Sequence, residues 1–199
     1  MAFEPFINQW QQMFGMCSPR GVSAVFDESA DGYVKSEAVS CLFLQRRRDA
    51  RRVYGHILAA RMGMDGNKKL GPFYPSSETQ AELMQMTYRE ANVDPSGLTY
   101  FEAHSTGTRV GDVEEVKAIY SAYCEKRTKP LPLGAVKSNM GHSEGASGLV
   151  SITKVLIAFE NQCIPPNINL NALKQELRPY FPPLLPITEK YDYIPGLYL

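Results

Sequence analysis

Leu98-Thr-Tyr-Phe-Glu-Ala103, then the polar run His104 to Gly111, then Asp112 to Glu125, form a pattern that the chain repeats as Leu131 to Val136, Lys137 to Glu144 and Gly145 to Glu160. Each copy opens with a short apolar run, passes through a Gly/Ser/Thr loop, and continues with apolar residues at helical spacing, such as Val113, Val116, Tyr120 and Tyr123 in the first. Strand, loop and helix in alternation predict an α/β layered sheet, in which ligands sit beyond the carboxyl ends of strands. Both loops begin at such an end.

Outward from this pair, Ser77-Glu-Thr-Gln80 has the capping-box pattern, and Ala81, Met84, Tyr88 and Ala91 follow at helical spacing. The helix they predict stops before Asp94-Pro95. Farther upstream, Glu37 to Leu44 and Arg52 to Ala60 read as two strands joined by Gln45 to Arg52. That connection carries Arg46, Arg47, Arg48, Arg51 and Arg52, and reads as a solvated link, with attraction of an acidic carrier protein or a polyanion as the other reading. Downstream, seven of the fourteen prolines fall at or after Pro165. Lacking donors, they predict a linker or surface wrap rather than a helix or central strand.

With 199 residues, 44% of them apolar, the chain suits one domain or a large part of one. Lys plus Arg equals Asp plus Glu at 21 each, so no global field draws in nucleic acid or anionic membrane. Cys17, Cys41, Cys124 and Cys163 include no Cys-x-x-Cys pair and fit reduced thiols in a cytoplasmic protein. Met1 to Phe6 lacks a basic leader, and the longest apolar segment, Leu149 to Phe159, is broken by Ser151, Thr153 and Lys154, as in a buried helix. Neither secretion nor a membrane span is expected.

Each loop carries one histidine, His104 and His142, which stand 38 residues apart. Two imidazoles at one cleft can stabilise a developing enolate or oxyanion by donating hydrogen bonds. On spacing alone, each reads equally as a tie within its own loop. Convergence predicts facing loops with ring nitrogens within about 8 Å.

The wording of the motifs adds to this. Glu102-Ala-His-Ser-Thr-Gly-Thr108 with Gly111-Asp112, followed by Lys137-Ser-Asn-Met-Gly-His-Ser-Glu-Gly-Ala-Ser-Gly148, resembles the two histidine motifs of β-ketoacyl synthases. Ser18-Pro-Arg-Gly21, Phe26-Asp27, Asp31 to Glu37 and Asp65-Gly66 are similar to the same family, particularly to the synthase domain of animal-type multifunctional fatty acid synthases. The resemblance runs from Gly15 to Asn167.

It implies a thiolase-like, layered α-β-α-β-α fold, incomplete here: residues 1–166 as the C-terminal portion of a synthase domain and 167–199 as a Pro-rich, linker-like tail. The implied reaction, in fatty acid biosynthesis, condenses an acyl thioester with malonyl-carrier protein by decarboxylative Claisen chemistry. His104 and His142 would hold the malonyl thioester oxygen, with Lys137, Asn139, Asp112 and Glu144 in support and Thr106 and Thr108 against the pantetheine arm. Simpler readings stand beside these: a strand-end lysine in solvent, ordinary loop hydroxyls, and carboxylates at helix starts. No metal and no directly bound cofactor is implied, since phosphopantetheine arrives on an acyl carrier protein or domain. A homodimer through the complete synthase domain is implied as well.

The family's nucleophilic cysteine occupies a tight turn at a helix N-terminus, and none of the four cysteines fits that setting. The family's glycine-rich segment after the second histidine loop is not matched either. The expectation is a chain that does not condense by itself. A non-catalytic remnant that binds an acyl carrier or another partner is the alternative. Ser105 stands where the family has glycine, which would restrict the backbone if a positive φ were required.

Overall fold

The computed structural model describes residues 5–71 and 73–192, beginning with helix α1 (Pro5–Met13). The first four residues, read above as lacking a leader, and Pro195 of the proline-rich tail lie outside the described residues. The sheet is built from β1 (Phe101–Glu102), β2 (Leu131–Gly134) and β4 (Leu184–Pro186), in the order β1-β2-β4 and parallel throughout. A second, antiparallel pair joins β3 (Cys163–Ile164) to β5 (Tyr191–Asp192).

Side chains alternate across a strand, and Tyr100 and Phe101 accordingly enter different packing clusters. Phe101 and Leu133 pack with Val116 and Ile119 of α3 (Gly111–Ile119) and with Met84 and Tyr88 of α2 (Ser77–Ala91). Tyr100 packs with Val155, Ala158 and Phe159 of α5 (Ser147–Asn161). The sheet thus has helices on both faces, as the strand-loop-helix repetition predicts.

Local chemistry sets the helix ends. Ser76, not Ser77, caps α2: its hydroxyl accepts from Thr79 N at 3.2 Å, one residue upstream of the capping-box reading. Asn92, at φ 52°, closes the helix in the left-handed conformation, before Asp94-Pro95 as expected. The helix expected from Asp112 to Glu125 changes to a π turn over Tyr120–Cys124, where Tyr123 stacks at 5.0 Å on Tyr88 and 5.8 Å on Phe101. The second histidine loop is not wholly irregular, since Lys137–Met140 forms a single helical turn, α4.

Two expectations are corrected. Residues 37–44 and 52–60 form no strands: among the described residues no strand pairs with them, and Val39 and Ile57 are 98% and 62% exposed. Extended backbone without a neighbour has no ladder to join. The link between them is a 3₁₀ turn at Arg47–Asp49, and the chain from Arg52 to Arg61 is tied to α5 and α2 by ion pairs of Arg52 with Glu160 and Arg61 with Glu90.

The tail that reads as a linker belongs to the core. Leu177 and Leu184 are fully buried, and β4 extends the sheet beside β2. Pro186 is accommodated because β4 is an edge strand and the next residue, Ile187, donates its N–H to Leu133 O at 3.1 Å. Asp27 fastens the tail from the other side, its carboxylate accepting Asn171 N at 2.6 Å and Ala172 N at 2.8 Å.

Candidate active site

β1 and β2 run parallel, so their carboxyl ends deliver the two histidine loops to the same edge of the sheet. There the His104 and His142 rings meet edge to face, centroids 5.3 Å apart and planes at 85°. The convergence expected from the sequence is therefore present in the structure.

Two carboxylates of α3, Asp112 in its first turn and Glu115 just after it, shape the loop after β1. Glu115 accepts His104 N and Ser105 N, each at 2.7 Å, and Ser105 Oγ at 2.9 Å. Asp112 accepts Thr106 N at 3.0 Å, Gly107 N at 3.1 Å and, from across the molecule, Phe26 N at 3.1 Å. Burial pushes the Asp112 carboxyl up to about 6, with the Glu115 charge adding to the rise and the N–H donors opposing it. It remains ionised at neutral pH. Asp112 is thus a loop anchor rather than a helix cap. Ser105 avoids the strain feared for a non-glycine residue: the positive φ falls on Gly107, at 83°, and Ser105 spends its hydroxyl on Glu115.

His142 is held from both sides. Its backbone N–H donates to Val34 O at 2.6 Å, and Tyr33 packs edge-on against its ring at 5.0 Å. Glu144 N donates to His142 Nδ1 at 3.2 Å. With Nδ1 accepting, this hydrogen-bond pattern places the proton of the neutral ring on Nε2, free to donate outward. Glu144 adopts φ 50°, strained for a non-glycine residue, and the captured N–H helps hold it there. Its carboxylate lies 3.8 Å from Lys35 Nζ.

Both histidines are shifted toward neutrality. Crowding by protein atoms, with the Lys137 charge adding to it, lowers the His104 pKa to about 4. His104 keeps an open face, so water offsets part of that penalty. Burial likewise lowers His142, with His104, Lys137 and Lys35 on the same side and Glu144 opposing. Lys137 does not reach solvent: it is 1% exposed, its Nζ has no hydrogen-bond partner among the described residues, and burial lowers its pKa against the pull of Glu115, Glu102 and Asp112.

The remaining predicted residues have plainer surroundings. Asn139 ties its loop to the tail by donating to Pro166 O at 3.0 Å. Thr106 and Thr108 bond to each other at 3.3 Å. A cavity of about 230 Å³ opens beside His104 and Thr106, bordered by Pro75 and Gln80 at the start of α2. A larger, open depression of about 590 Å³ lies among Asp94–Ser96 and Ser121–Lys129, at the amino ends of the strands and away from the histidines.

Of the cysteines, Cys17 bridges to Tyr33, and burial raises its thiol pKa against the opposing Lys35 charge. Cys124 is buried and pushed up to about 11, Cys41 is exposed, and Cys163 lies in β3. None of them lies at the start of a described α-helix.

Sequence reasoning missed Glu115, Glu102 and Lys154. Glu115 was findable, since it follows Asp112 by three residues and shares its helix face. Glu102 and Lys154 pair at 2.8 Å, almost wholly buried at 6% and 8% side-chain exposure. Their signal was a charged residue inside an otherwise apolar strand and an apolar helix.

Residues 54–171 match the family model described as "Beta-ketoacyl synthase, C-terminal domain", and residues 3–50 match "Beta-ketoacyl synthase, N-terminal domain". The chain is 42% identical to a fatty acid synthase of the goose Anser anser anser over 147 residues, which is 74% of this chain and 42% of that protein. It is 44% identical over 161 residues to the highly reducing polyketide synthase gloL of Glarea lozoyensis, covering 79% of this chain and 6% of that one. The oxazolomycin ketosynthase domain OzmH KS7 of Streptomyces albus superposes with a TM-score of 0.86 at 28% identity, over 96% of this chain and 34% of that one. The module 6 ketosynthase of the Bacillus subtilis bacillaene synthase gives 0.84 at 27%, over 98% and 36%. The chain spans less than half the length of each of these relatives. No helix among the described residues is long and apolar enough to cross a membrane. With its histidine pair at the carboxyl ends of two parallel strands and a family model matched over more than half its length, the chain belongs to the β-ketoacyl synthase family and carries part of that family's thiolase-like fold.

Proposed function

We propose that this chain supplies the decarboxylating side of a β-ketoacyl synthase that extends acyl thioesters with malonyl units in fatty acid biosynthesis. The observation that carries the reading is the edge-to-face His104–His142 pair, with His142 Nδ1 already occupied by Glu144 N–H. In the step envisaged, the malonyl C–C bond to the carboxylate breaks, carbon dioxide leaves, and the electron pair delocalises onto the thioester oxygen. That oxygen needs donors only once the charge develops, which neutral imidazoles fixed in advance provide. Lys137, buried beside them without a hydrogen-bond partner among the described residues, adds positive potential. Asp112, Glu144 and Asn139 hold the loops in place, and Thr106 and Thr108 line the approach of the pantetheine arm.

The malonyl group comes on phosphopantetheine carried by an acyl carrier protein or domain in the cytoplasm. The fatty-acid assignment draws on the 42% identity to the goose enzyme, while the fungal polyketide synthase at 44% keeps polyketide extension as the second reading. The condensing nucleophile in this reading lies outside the four cysteines, since none of them stands at the start of a described α-helix and burial pushes the Cys17 thiol up.

The test incubates the purified chain with radiolabelled acyl thioester and malonyl-pantetheine, then denatures the protein and counts it. Carbon dioxide and acetyl thioester form, with no label on the protein and no ketoacyl product. Stoichiometric label that disappears in Cys17→Ala, together with ketoacyl product, would overturn the assignment.

A further inference from the structure

We propose that Glu102 is a positioning residue that fastens the second histidine loop to the end of the strand bearing the first, with Lys154 of α5 as its buried counter-charge. For its catalytic readout the proposal rests on the functional reading above.

The backbone shows where such a fastening is needed. β1 and β2 pair through Glu102 and Gly134, and Ala103 N donates to Gly134 O at 2.8 Å. Beyond that point side chains take the N–H groups of the residues that follow β2: Ala135 N goes to Asn167 Oδ1 at 2.7 Å and Val136 N to Glu102 Oε1 at 2.6 Å. Val136 directly precedes Lys137, and Glu102 stands two residues before His104. A single carboxylate therefore spans the roots of both loops.

Its other oxygen is also committed. Glu102 Oε2 accepts the Tyr100 hydroxyl and lies 2.8 Å from Lys154 Nζ. Tyr100 and the two charged side chains are nearly inaccessible to water, so this network is rigid. It also sets the local charge balance. Lys154 neutralises Glu102, leaving the Lys137 ammonium, without a hydrogen-bond partner among the described residues, to face the histidines; Glu102 and Lys154 act on Lys137 in opposite directions.

The experiment compares two double variants that both remove the buried charges. Glu102→Gln/Lys154→Met keeps an acceptor for Val136 N–H, whereas Glu102→Leu/Lys154→Met does not. Val136→Pro removes only the donor, at a residue whose φ of −56° suits proline, and leaves every charge in place. Two readouts are taken on folded protein: the cross-ring NOE between His104 and His142, and malonyl-pantetheine decarboxylation.

The Gln/Met variant keeps the NOE and stays within about threefold of the wild-type rate, because the acceptor survives. Leu/Met and Val136→Pro lose the NOE and at least about tenfold in rate, as expected when the site loosens. Wild-type NOE and rate in both of those variants, or loss of the NOE in Gln/Met, would overturn the proposal and leave Glu102 as a mere neutraliser of Lys154. If Leu/Met does not fold, Val136→Pro decides. A wild-type protein with the NOE but no decarboxylation would refute the functional reading, and the NOE would still decide the role of Glu102.

Discussion

Glu144 N–H donates to His142 Nδ1 at 3.2 Å from a backbone held at φ 50°. A strained residue thereby fixes which ring nitrogen of its neighbour bears the proton, and it does so 5.3 Å from a second histidine that arrives from the adjacent parallel strand. Sequence distance and chemical distance are decoupled by the sheet.

Both histidines should titrate below the ordinary value of 6.5. The sign for stability follows from the lowered folded pKa. As pH falls below about 6.5 the unfolded chain takes up protons first, so stability drops between roughly pH 6.5 and 4 and levels off beneath; above 6.5 these groups contribute nothing. Asp112, raised to about 6, opposes this trend between about pH 6 and 3.8. Imidazole proton shifts followed by NMR should give midpoints clearly under 6.5 for His104 and His142. A midpoint at or above 6.5 for either would mean that its ring is not desolvated as described.

Asp112→Asn should destabilise the fold by about 1–3 kcal/mol, because an amide cannot accept on both sides from Phe26, Thr106 and Gly107 N–H groups in a buried site. Thermal melts would show a Tm lower by roughly 2–10 °C. An unchanged Tm would remove Asp112 from the loop-shaping role.

Leu184→Ala should cost about 2–5 kcal/mol, since the side chain is fully buried between the sheet and its helices. Leu185, half-exposed on the same strand, should tolerate alanine within about 0.5–1 kcal/mol. Equal, small effects in denaturant melts would return the tail to the status of a linker.

The repetition of strand, loop and helix was legible because apolar spacing is a local property, and so was the histidine pair, since parallel strands place successive loops at one edge. The tail was misread for a different reason. Prolines report lost donors, but Leu177 and Leu184 between them report burial only once the partner strand β2 is known. Residues 37–60 illustrate the converse, an apolar pattern that predicts strands where the described residues offer no neighbour. Glu102 and Lys154 escaped because each looks like an isolated charge until α5 is laid on the sheet.

Gly134→Ala should be costly in a specific way. A Cβ there would collide with the Tyr100 hydroxyl and sit 3.0 Å from Glu102 Oε2, so the variant should lose about 1–3 kcal/mol by overpacking. Tyr100→Phe removes the clashing oxygen, and the two substitutions should couple by about 0.5–3 kcal/mol in a double-mutant cycle. Strict additivity of the two costs would show that Tyr100 does not approach Gly134 as described.

The most direct test of a shared role for the two histidines is release of labelled carbon dioxide from malonyl-pantetheine by the purified chain, measured for wild type, His104→Ala, His142→Ala and the double variant. If both rings donate to one developing oxyanion, each single variant loses roughly 10²–10³-fold and the double variant is little worse, because the two act as a unit. A wild-type rate in either single variant, or no malonyl-dependent release by the wild-type chain, would contradict the account.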